Sequence, residues 1–298
     1  MAIPLKRSGL LKKEDAAMYA KLMTQGVLPV VAFAQLLQHP PDPRHLLSVL
    51  ALVLTGCVTL VASWWISRLL GFTRPMTGAL MIVSSFGSSA LLGYPMVQFA
   101  FPNDPQAMTY AILISELAVG FPLFTLCPIV AMHYGEGDEK KAPLKDALLR
   151  YLRSPLFLGV AGGLVAGLMH PRLDGPLAVP VLQAFQMVRG ALAVLACITM
   201  GLQMQFLRVK GLLPMICISA PLQMVFQPLV AWGLGLLFGL ALLERQVLVL
   251  LAAMPSAVLG TVFATRYKCE GEMASTATFA NIVLSLVCIP LVFWLLGR

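Results

Sequence analysis

Two apolar segments of this sequence are interrupted near their centres by glycine, proline and serine. One reads IVSSFGSSALLGYPM and contains Gly87, Gly93 and Pro95, and the other reads LLAAMPSAVLGTVFATRY and contains Pro255 and Gly260. Proline removes an intrahelical hydrogen bond and glycine lets the backbone leave helical geometry. Each segment alone therefore either breaks as a helix or forms a proline kink with small residues for helix packing. The amides and carbonyls freed by such breaks, together with nearby hydroxyls, are groups that bind small ions.

The side chains and backbone around these breaks are the best candidates for ligand binding. Each break creates a helix N-terminus that carries about half a positive charge, which favours an anion. The candidates for substrate binding are Gly87, Ser88, Ser89, Gly93, Pro95, Pro255, Ser256, Gly260, Thr261, Thr278 and Asn281. Gln223 and Gln227, in PLQMVFQPLV, either line the same cavity or form hydrogen bonds between helices.

Two ionisable residues lie well inside apolar stretches: Glu116 in AILISELAVGF and Arg189 in LQAFQMVRGALAV. Charges at that depth in a bilayer are costly, so they usually face a partner or a cavity. As functional groups, Arg189 would attract a substrate carboxylate and Glu116 would carry a coupling proton. As structural groups, the two would pair with each other, or Arg189 would extend toward the membrane surface.

The composition places these segments in a membrane. Of the 298 residues, 59% are hydrophobic and only 11% are charged, and the mean hydropathy is +0.85. A soluble chain carries about a quarter charged residues, so the excess apolar surface must face lipid. The net charge of +8 lies in short loops rather than on one soluble face, which argues against a nucleic-acid partner. We therefore predict an all-α polytopic membrane protein in a lipid bilayer.

Nine stretches are apolar enough to cross a bilayer, which takes about 20 residues each. They cover about 16–38, 46–66, 75–100, 107–132, 154–170, 180–206, 211–240, 246–266 and 274–296. Of the 21 Lys and Arg residues, sixteen fall on one side of this arrangement, four on the other, and Arg189 inside a span. The positive-inside rule then places the N-terminus in the cytoplasm and the C-terminus outside, in what we expect to be the bacterial inner (plasma) membrane.

The remaining reactive residues form no pattern typical of an enzyme or a metal protein. The six cysteines have no zinc or redox spacing, and the four histidines lie at span ends. The sequence contains no Ser-His-Asp set, Walker loop or dinucleotide-binding glycine motif in a suitable context. We expect no catalytic residues, no metal and no cofactor.

The two interrupted spans occupy equivalent positions in two halves of opposite orientation. Residues 1–133 would form a first, incomplete repeat of four spans, 134–153 a cytoplasmic loop, and 154–298 a second repeat of five spans. The interrupted span is the last but one of each half, and aligning Gly87 with Pro255 places Ser88 over Ser256. Paired interruptions in inverted halves are typical of the binding site of a secondary transporter, near the bilayer midplane.

At these residues the chain resembles the auxin efflux carrier family, within the superfamily of bile acid:sodium symporter-like transporters. The segment AAMPSAVLGTVFATRYKCEGEMASTATFANIVLSLVCIPL is similar to the family's last two spans. LRSPLFLGVAGGLVAG, ITMGLQMQ, SGLLKKEDAAMYAKLMTQGVLPVVAF and SFGSSALLGYPM resemble its sixth, seventh, second and fourth spans. By this resemblance the family's first span is expected to lack a counterpart, either because the start of the sequence lies too far downstream or because the chain is a truncated member, and Ser88 stands where the family often has Asn.

The resemblance implies an inverted-repeat fold in which two broken helices cross at the substrate site. It also implies a permease or efflux carrier that moves a small organic anion, such as a mono- or dicarboxylate, by alternating access. Three alternatives stay open: a non-transporting receptor or scaffold protein that keeps the fold, a sodium-coupled organic anion symporter, and a channel. A homodimer is also left open, because no motif tests it.

Overall fold

The computed structural model describes residues 22–39, 45–136, 152–169, 178–203 and 213–295, together with the single residues Met18 and Leu149. Its α-helices are α1 (Leu28–Gln38), α2 (Leu46–Leu69), α3 (Arg74–Ser85), α4 (Tyr94–Ala100), α5 (Pro105–Ile114), α6 (Phe121–Tyr134), α7 (Pro155–Leu168), α8 (Ala178–Gln203), α9 (Leu213–Pro221), α10 (Gln227–Leu237), α11 (Leu242–Ala252), α12 (Val258–Arg266) and α13 (Gly271–Leu295). Four π-helical turns adjoin them: Met23–Val27, Ser89–Gly93, Ser115–Gly120 and Leu222–Phe226. Most of the expected cytoplasmic loop, 134–153, lies outside the described residues.

These helices fall at the positions of the predicted spans. Four continuous segments are long and apolar enough to cross a bilayer: Leu46–Leu69, Pro105–Tyr134, Leu213–Leu237 and Gly271–Leu295. Two shorter apolar helices, Gln25–Gln38 and Pro155–Leu168, accompany them. Over the described ranges the backbone forms no strand beyond one isolated bridge. The all-α polytopic membrane fold is confirmed, while the number of nine spans and the division at 134–153 stay predictions.

Helix α2 shows how a lipid-exposed helix is organised. Apart from Leu52, its buried face is small or polar and consists of Ser48, Ala51, Thr55, Thr59, Ser63 and Ser67. Its exposed residues include the large apolar Val61, Trp65 and Leu69. The hydroxyl of Thr55 donates to the carbonyl oxygen of Ala51 at 2.8 Å, so it is satisfied within its own helix. Small inward residues allow close helix packing, and large outward ones face lipid.

Glycine residues let α7 lie directly against the backbone of α1, its most extensive packing partner. A Cβ added at Gly163 would lie 2.7 Å from the carbonyl oxygen of Phe33, and one at Gly159 would lie 2.5 Å from that of Pro29. The two glycines are one helical turn apart, as are the two residues that they contact. This is the small-residue packing that membrane helices use for close approach.

The buried apolar residues form two separate clusters. The first apolar cluster includes Leu28, Leu92, Tyr94, Val97, Ile112, Leu250 and Met254. The second includes Leu80, Ile82, Val83, Phe86, Ala257, Ala264 and Tyr267. Each interrupted segment therefore contributes one half to each cluster: α3 and α12 belong to the second, and α4 and α11 to the first. The chain passes from one cluster to the other at both interruptions.

The turn between α12 and α13 is bonded both to the start of α3 and to the residues that follow α6. The Cys269 thiol donates to the carbonyl oxygen of Pro75 at 3.3 Å, and the amide of Glu136 donates to the carbonyl oxygen of Lys268, also at 3.3 Å. Burial, and secondarily the nearby charge of Glu270, raises the pKa of Cys269 to about 12. The thiol stays protonated near neutral pH, so it acts as a packing group and hydrogen-bond donor.

The glycine contact between α1 and α7 predicts a difference between two neighbouring residues. Gly163→Ala should lower the melting temperature in detergent, because overpacking against backbone costs about 1–3 kcal/mol. Gly162→Ala is the matched control, since its Cβ would meet only the Phe33 ring at 3.5 Å, and it should melt at the wild-type temperature or slightly above. Equal melting temperatures for the two variants would contradict the proposed packing.

Candidate functional site

Both interrupted segments break where the sequence predicts. Helix α3 ends at Ser85, residues 86–88 are not helical, and helical structure resumes at Ser89. Helix α11 ends at Ala252 and α12 begins at Val258. Each segment is thus two half-helices joined by a short extended stretch.

The two extended stretches cross and pair with each other. Gly87 and Ser256 form an antiparallel bridge. The amide of Ser88 donates to the carbonyl oxygen of Pro255, and the amide of Ala257 donates to that of Phe86, both at 2.7 Å. The predicted crossing of two broken helices is confirmed, and Gly87 lies opposite Ser256 in it. Each break therefore supplies partners for backbone groups that would otherwise be unpaired inside the membrane.

Glycines at and beside the crossing allow the half-helices to approach. A Cβ at Gly93 would lie 2.6 Å from Leu251 Cδ2, and one at Gly260 would lie 2.9 Å from Ile82 Cγ2. In both cases the glycine belongs to one broken segment and its neighbour to the other. These two predicted site residues therefore serve the crossing by their lack of a side chain.

Two glutamines cap the carbonyl ends of the broken helices: Gln223, in the π-helical turn between α9 and α10, and Gln227, the first residue of α10. Gln227 Nε2 donates to the carbonyl oxygen of Ser84 at 2.7 Å, and Gln223 Nε2 donates to that of Met254 at 2.8 Å. Both glutamines are buried. A Cβ at Gly87 would lie 3.1 Å from Gln223 Nε2, so the small residue makes room for this contact.

Ser256 connects the crossing to α13. Its Oγ donates to the carbonyl oxygen of Val83 at 2.6 Å and accepts a hydrogen bond from Asn281 Nδ2 at 2.8 Å. Asn281 also contacts the Ser219 hydroxyl at 3.4 Å. Ser256 and Asn281 are fully buried. The structure thus brings these two predicted residues together and joins them to α3 and α9.

The second half of the first broken segment is bound to the middle of the α5–α6 segment. The hydroxyls of Ser89 and Ser115 lie 2.7 Å apart, and the Tyr94 hydroxyl donates to Glu116 Oε1 at 2.7 Å. Glu116 is only 2% exposed. Its carboxyl therefore lies beside the half-helix that begins at Ser89 and is held by a neighbour on α4.

The other predicted residues are placed less centrally. The Thr261 hydroxyl donates to the carbonyl oxygen of Val258 at 2.7 Å, within its own helix. Pro95 lies in the first turn of α4. Arg189 lies on α8, which packs against α1 and the turn Met23–Val27. The position of the Arg189 side chain lies outside what the structure describes, so its role as a carboxylate ligand stays a prediction.

Several buried oxygens at or near the crossing have no hydrogen-bond partner among the described residues: Ser84 Oγ, Ser85 Oγ, Gln223 Oε1 and Thr278 Oγ1. Thr278 lies one helical turn before Asn281 on α13. Buried polar atoms nearly always have a partner in folded proteins. These oxygens are therefore the ones most suited to bind an ion, a ligand or water.

A small cleft opens beside the crossing. Its lining residues are Leu52, Val53, Gly56, Cys57, Leu60, Ser85, Phe86, Gly87, Ala118, Val119, Pro122, Leu126, Gln227, Leu251 and Ala252. Its volume is about 30 Å³, which is room for about two water molecules. The lining includes Ser85 and Ala252, the last residues of α3 and α11, which are the first half-helices of the two broken segments. The cleft thus lies at the carbonyl ends of the broken helices.

Comparison with known proteins connects this geometry to a family. A family described as membrane transport protein matches residues 4–294. The chain belongs to this family. It is 25% identical to an uncharacterized transporter of Methanothermobacter thermautotrophicus, over 96% of this chain and 91% of the relative. It is 23% identical to an uncharacterized transporter of Methanocaldococcus jannaschii, over 97% and 92% of the two chains.

Membership confirms the resemblance to auxin efflux carriers. The protein is an integral membrane protein of a transporter family rather than of an enzyme family. Both relatives carry the name of transporter without a substrate. The inner-membrane location and the orientation of the termini stay predictions.

Sequence reasoning missed part of the polar network. The sequence does not indicate that Tyr94 and Ser115 bind across the segments, although Tyr94 directly precedes Pro95 and Ser115 precedes Glu116. Gln223 and Gln227 were expected either to line a cavity or to bond across helices. Gln227 does both, since it lines the cleft and donates to Ser84. The i, i+4 spacing of the glutamines was the available signal.

The network around Ser256 predicts a loss of stability in one serine variant and not in another. Ser256→Ala should lower the free energy of unfolding by about 1–3 kcal/mol, because buried groups of Val83 and Asn281 each lose a partner. Ser285→Ala is the control: Ser285 is equally buried, but its hydroxyl donates only to Ile282 of its own helix, at 2.7 Å. Thermal unfolding in detergent measures both, and similar losses would contradict a special role of Ser256.

Proposed function

We propose that this protein is a secondary carrier that moves a small organic anion, such as a mono- or dicarboxylate, by alternating access. The observation that carries the proposal is the crossing of two broken helices through the pair Gly87 and Ser256, in a chain of a membrane transport family. Broken helices expose backbone charge inside a membrane without ionised side chains, which suits a site that must bind and release an ion.

The second half-helices support an anion as the substrate. They begin at Ser89 and Val258, and the N-terminus of a half-helix carries a partial positive charge. Ser88 directly precedes the first of these termini, and its side chain makes no capping hydrogen bond there. The Asn281 amide donates to Ser256, two residues before the second. A carboxylate bound between the two N-termini would add acceptors for their free amides.

The narrowness of the cleft supports a carrier rather than an open pore. A cleft of about 30 Å³ is smaller than any carboxylate with its carbon chain, since that volume holds only about two waters. Passage of a carboxylate past the crossing therefore requires the lining helices α2 and α6 to separate from it. Separation on one side at a time is the movement that alternating access needs.

One observation favours sodium coupling as a second candidate. The cleft lies at the carbonyl ends of α3 and α11, and Ser85 Oγ has no partner among the described residues. Carbonyl ends of half-helices carry partial negative charge and coordinate cations in transporters with broken helices. The anion would then bind at the N-terminal ends of the second half-helices, and the coupling cation would bind in the cleft at the carbonyl ends of α3 and α11.

The cleft is tested by filling it from Gly56, which lies on its α2 side. A Cβ at Gly56 meets no atom within 4 Å, and the same holds for Gly233 on the exposed face of α10. A screen of mono- and dicarboxylates by thermal stabilisation first selects the substrate, since a ligand at a hundred times its dissociation constant stabilises by about 2.7 kcal/mol. Gly56→Leu should then reduce counterflow exchange in proteoliposomes by about tenfold or more.

Gly233→Leu is the control and should exchange and melt as the wild type does, and a cooperative thermal transition shows that Gly56→Leu is folded. Wild-type exchange by Gly56→Leu would overturn the assignment of the cleft. A carboxylate that stabilises the wild-type protein but never exchanges would instead establish the non-transporting receptor.

Proton coupling through Glu116 makes a separate prediction. Glu116→Gln keeps an oxygen that can accept from the Tyr94 hydroxyl, but it cannot release a proton. Substrate exchange should stay within about twofold of wild type, while accumulation driven by a pH gradient should be lost. Glu136→Gln, at an exposed carboxylate beyond α6, should change neither. Accumulation driven by a sodium gradient and unaffected by Glu116→Gln would establish the sodium alternative.

A further inference from the structure

A second, larger cleft lies away from the crossing, where α2 ends and α3 begins. Its volume is about 380 Å³, and its lining residues are Arg68, Phe72, Arg74, Thr77, His133 and Tyr134. Arg68 is in the last turn of α2, Arg74 is the first residue of α3, and His133 is in the last turn of α6. Three helix ends therefore place basic side chains around one space.

The charge in this basic cleft is not neutralised by the residues that the structure describes. The described lining includes no carboxylate, and neither arginine forms an ion pair with a described residue. Arg74 Nη2 donates to the carbonyl oxygen of His133 at 3.0 Å, and Arg68 lies over the Trp64 ring at 5.5 Å. These contacts hold the two guanidiniums in place and leave further N–H donors, since each has five.

The surroundings of the cleft are those of a membrane interface. Trp65 is 62% exposed and Leu69 71% exposed, both on α2, the most apolar candidate span. Tryptophan is enriched at the boundary between hydrocarbon and headgroups. A ligand bound between Arg68 and Arg74 would therefore have apolar side chains beside it, where acyl chains can lie.

We propose that the basic cleft binds the phosphate of an anionic phospholipid headgroup. Arginine presents a planar fork of donors that matches phosphate oxygens, and such charge-assisted bonds are stronger than neutral ones. The cleft lies at the end of the molecule where most Lys and Arg residues are expected, and anionic lipids are attracted to such basic segments. The exposed Trp65 and Leu69 favour a lipid over a soluble phosphate. The site lies apart from the crossing, so it is independent of the transported substrate.

The test uses the full chain in nanodiscs of phosphatidylcholine with increasing phosphatidylglycerol, and native mass spectrometry to count the lipids retained. Arg68→Gln and Arg74→Gln should each weaken phosphatidylglycerol retention by about tenfold, because each removes charge-assisted bonds to the phosphate. Arg153→Gln is the control: it is an exposed arginine just before α7, on the same expected side, and removes the same charge outside the cleft. It should change retention by about twofold at most.

Three results would overturn the proposal. Equal losses in Arg153→Gln and the two cleft variants would mean that general surface charge holds the lipid. Phosphatidylcholine retained as well as phosphatidylglycerol would remove the requirement for an anion. If millimolar inorganic phosphate displaces phosphatidylglycerol from the wild-type protein, the site belongs to a soluble anion. Unchanged melting temperatures show that the variants are folded.

Discussion

A backbone that leaves helical geometry inside a membrane must find partners within the protein, because hydrocarbon offers none. Here each of two broken helices supplies those partners to the other. The amide of Ser88 bonds to Pro255 and that of Ala257 to Phe86, both at 2.7 Å, and neither stretch could remain extended at this depth without the other. The pairing therefore fixes the point at which the two halves of the chain meet.

The carbonyl ends of the broken helices extend this requirement to their neighbours. Gln223 and Gln227 satisfy two of these carbonyls, and Ser256 satisfies a third while it accepts from Asn281. The turn between α9 and α10, the crossing and α13 are joined by buried hydrogen bonds that would each cost free energy to break. A conformational change of this protein is therefore expected to carry these elements together and to use the weaker, apolar contacts of α2 around the cleft.

The crossing also separates charge without ionised side chains. First half-helices end at Ser85 and Ala252 with partial negative charge beside the cleft, and second half-helices begin at Ser89 and Val258 with partial positive charge. The same crossing thus offers distinct surroundings to a cation and to an anion. Glu116, held by Tyr94 next to the half-helix that begins at Ser89, adds a titratable group close to the positive end.

The sequence by itself determined the membrane class, the positions of the helices and the two interruptions, because hydropathy and the local effects of glycine and proline act within one segment. It also indicated the family, and Gly87 and Ser256 as members of the crossing. Only the tertiary structure decided which backbone groups pair, that Gln227 caps Ser84, and that the cleft lies at the carbonyl ends. These facts depend on contacts between residues up to 173 positions apart, such as Ser256 and Val83, and no local pattern specifies which distant partner a buried polar group will find.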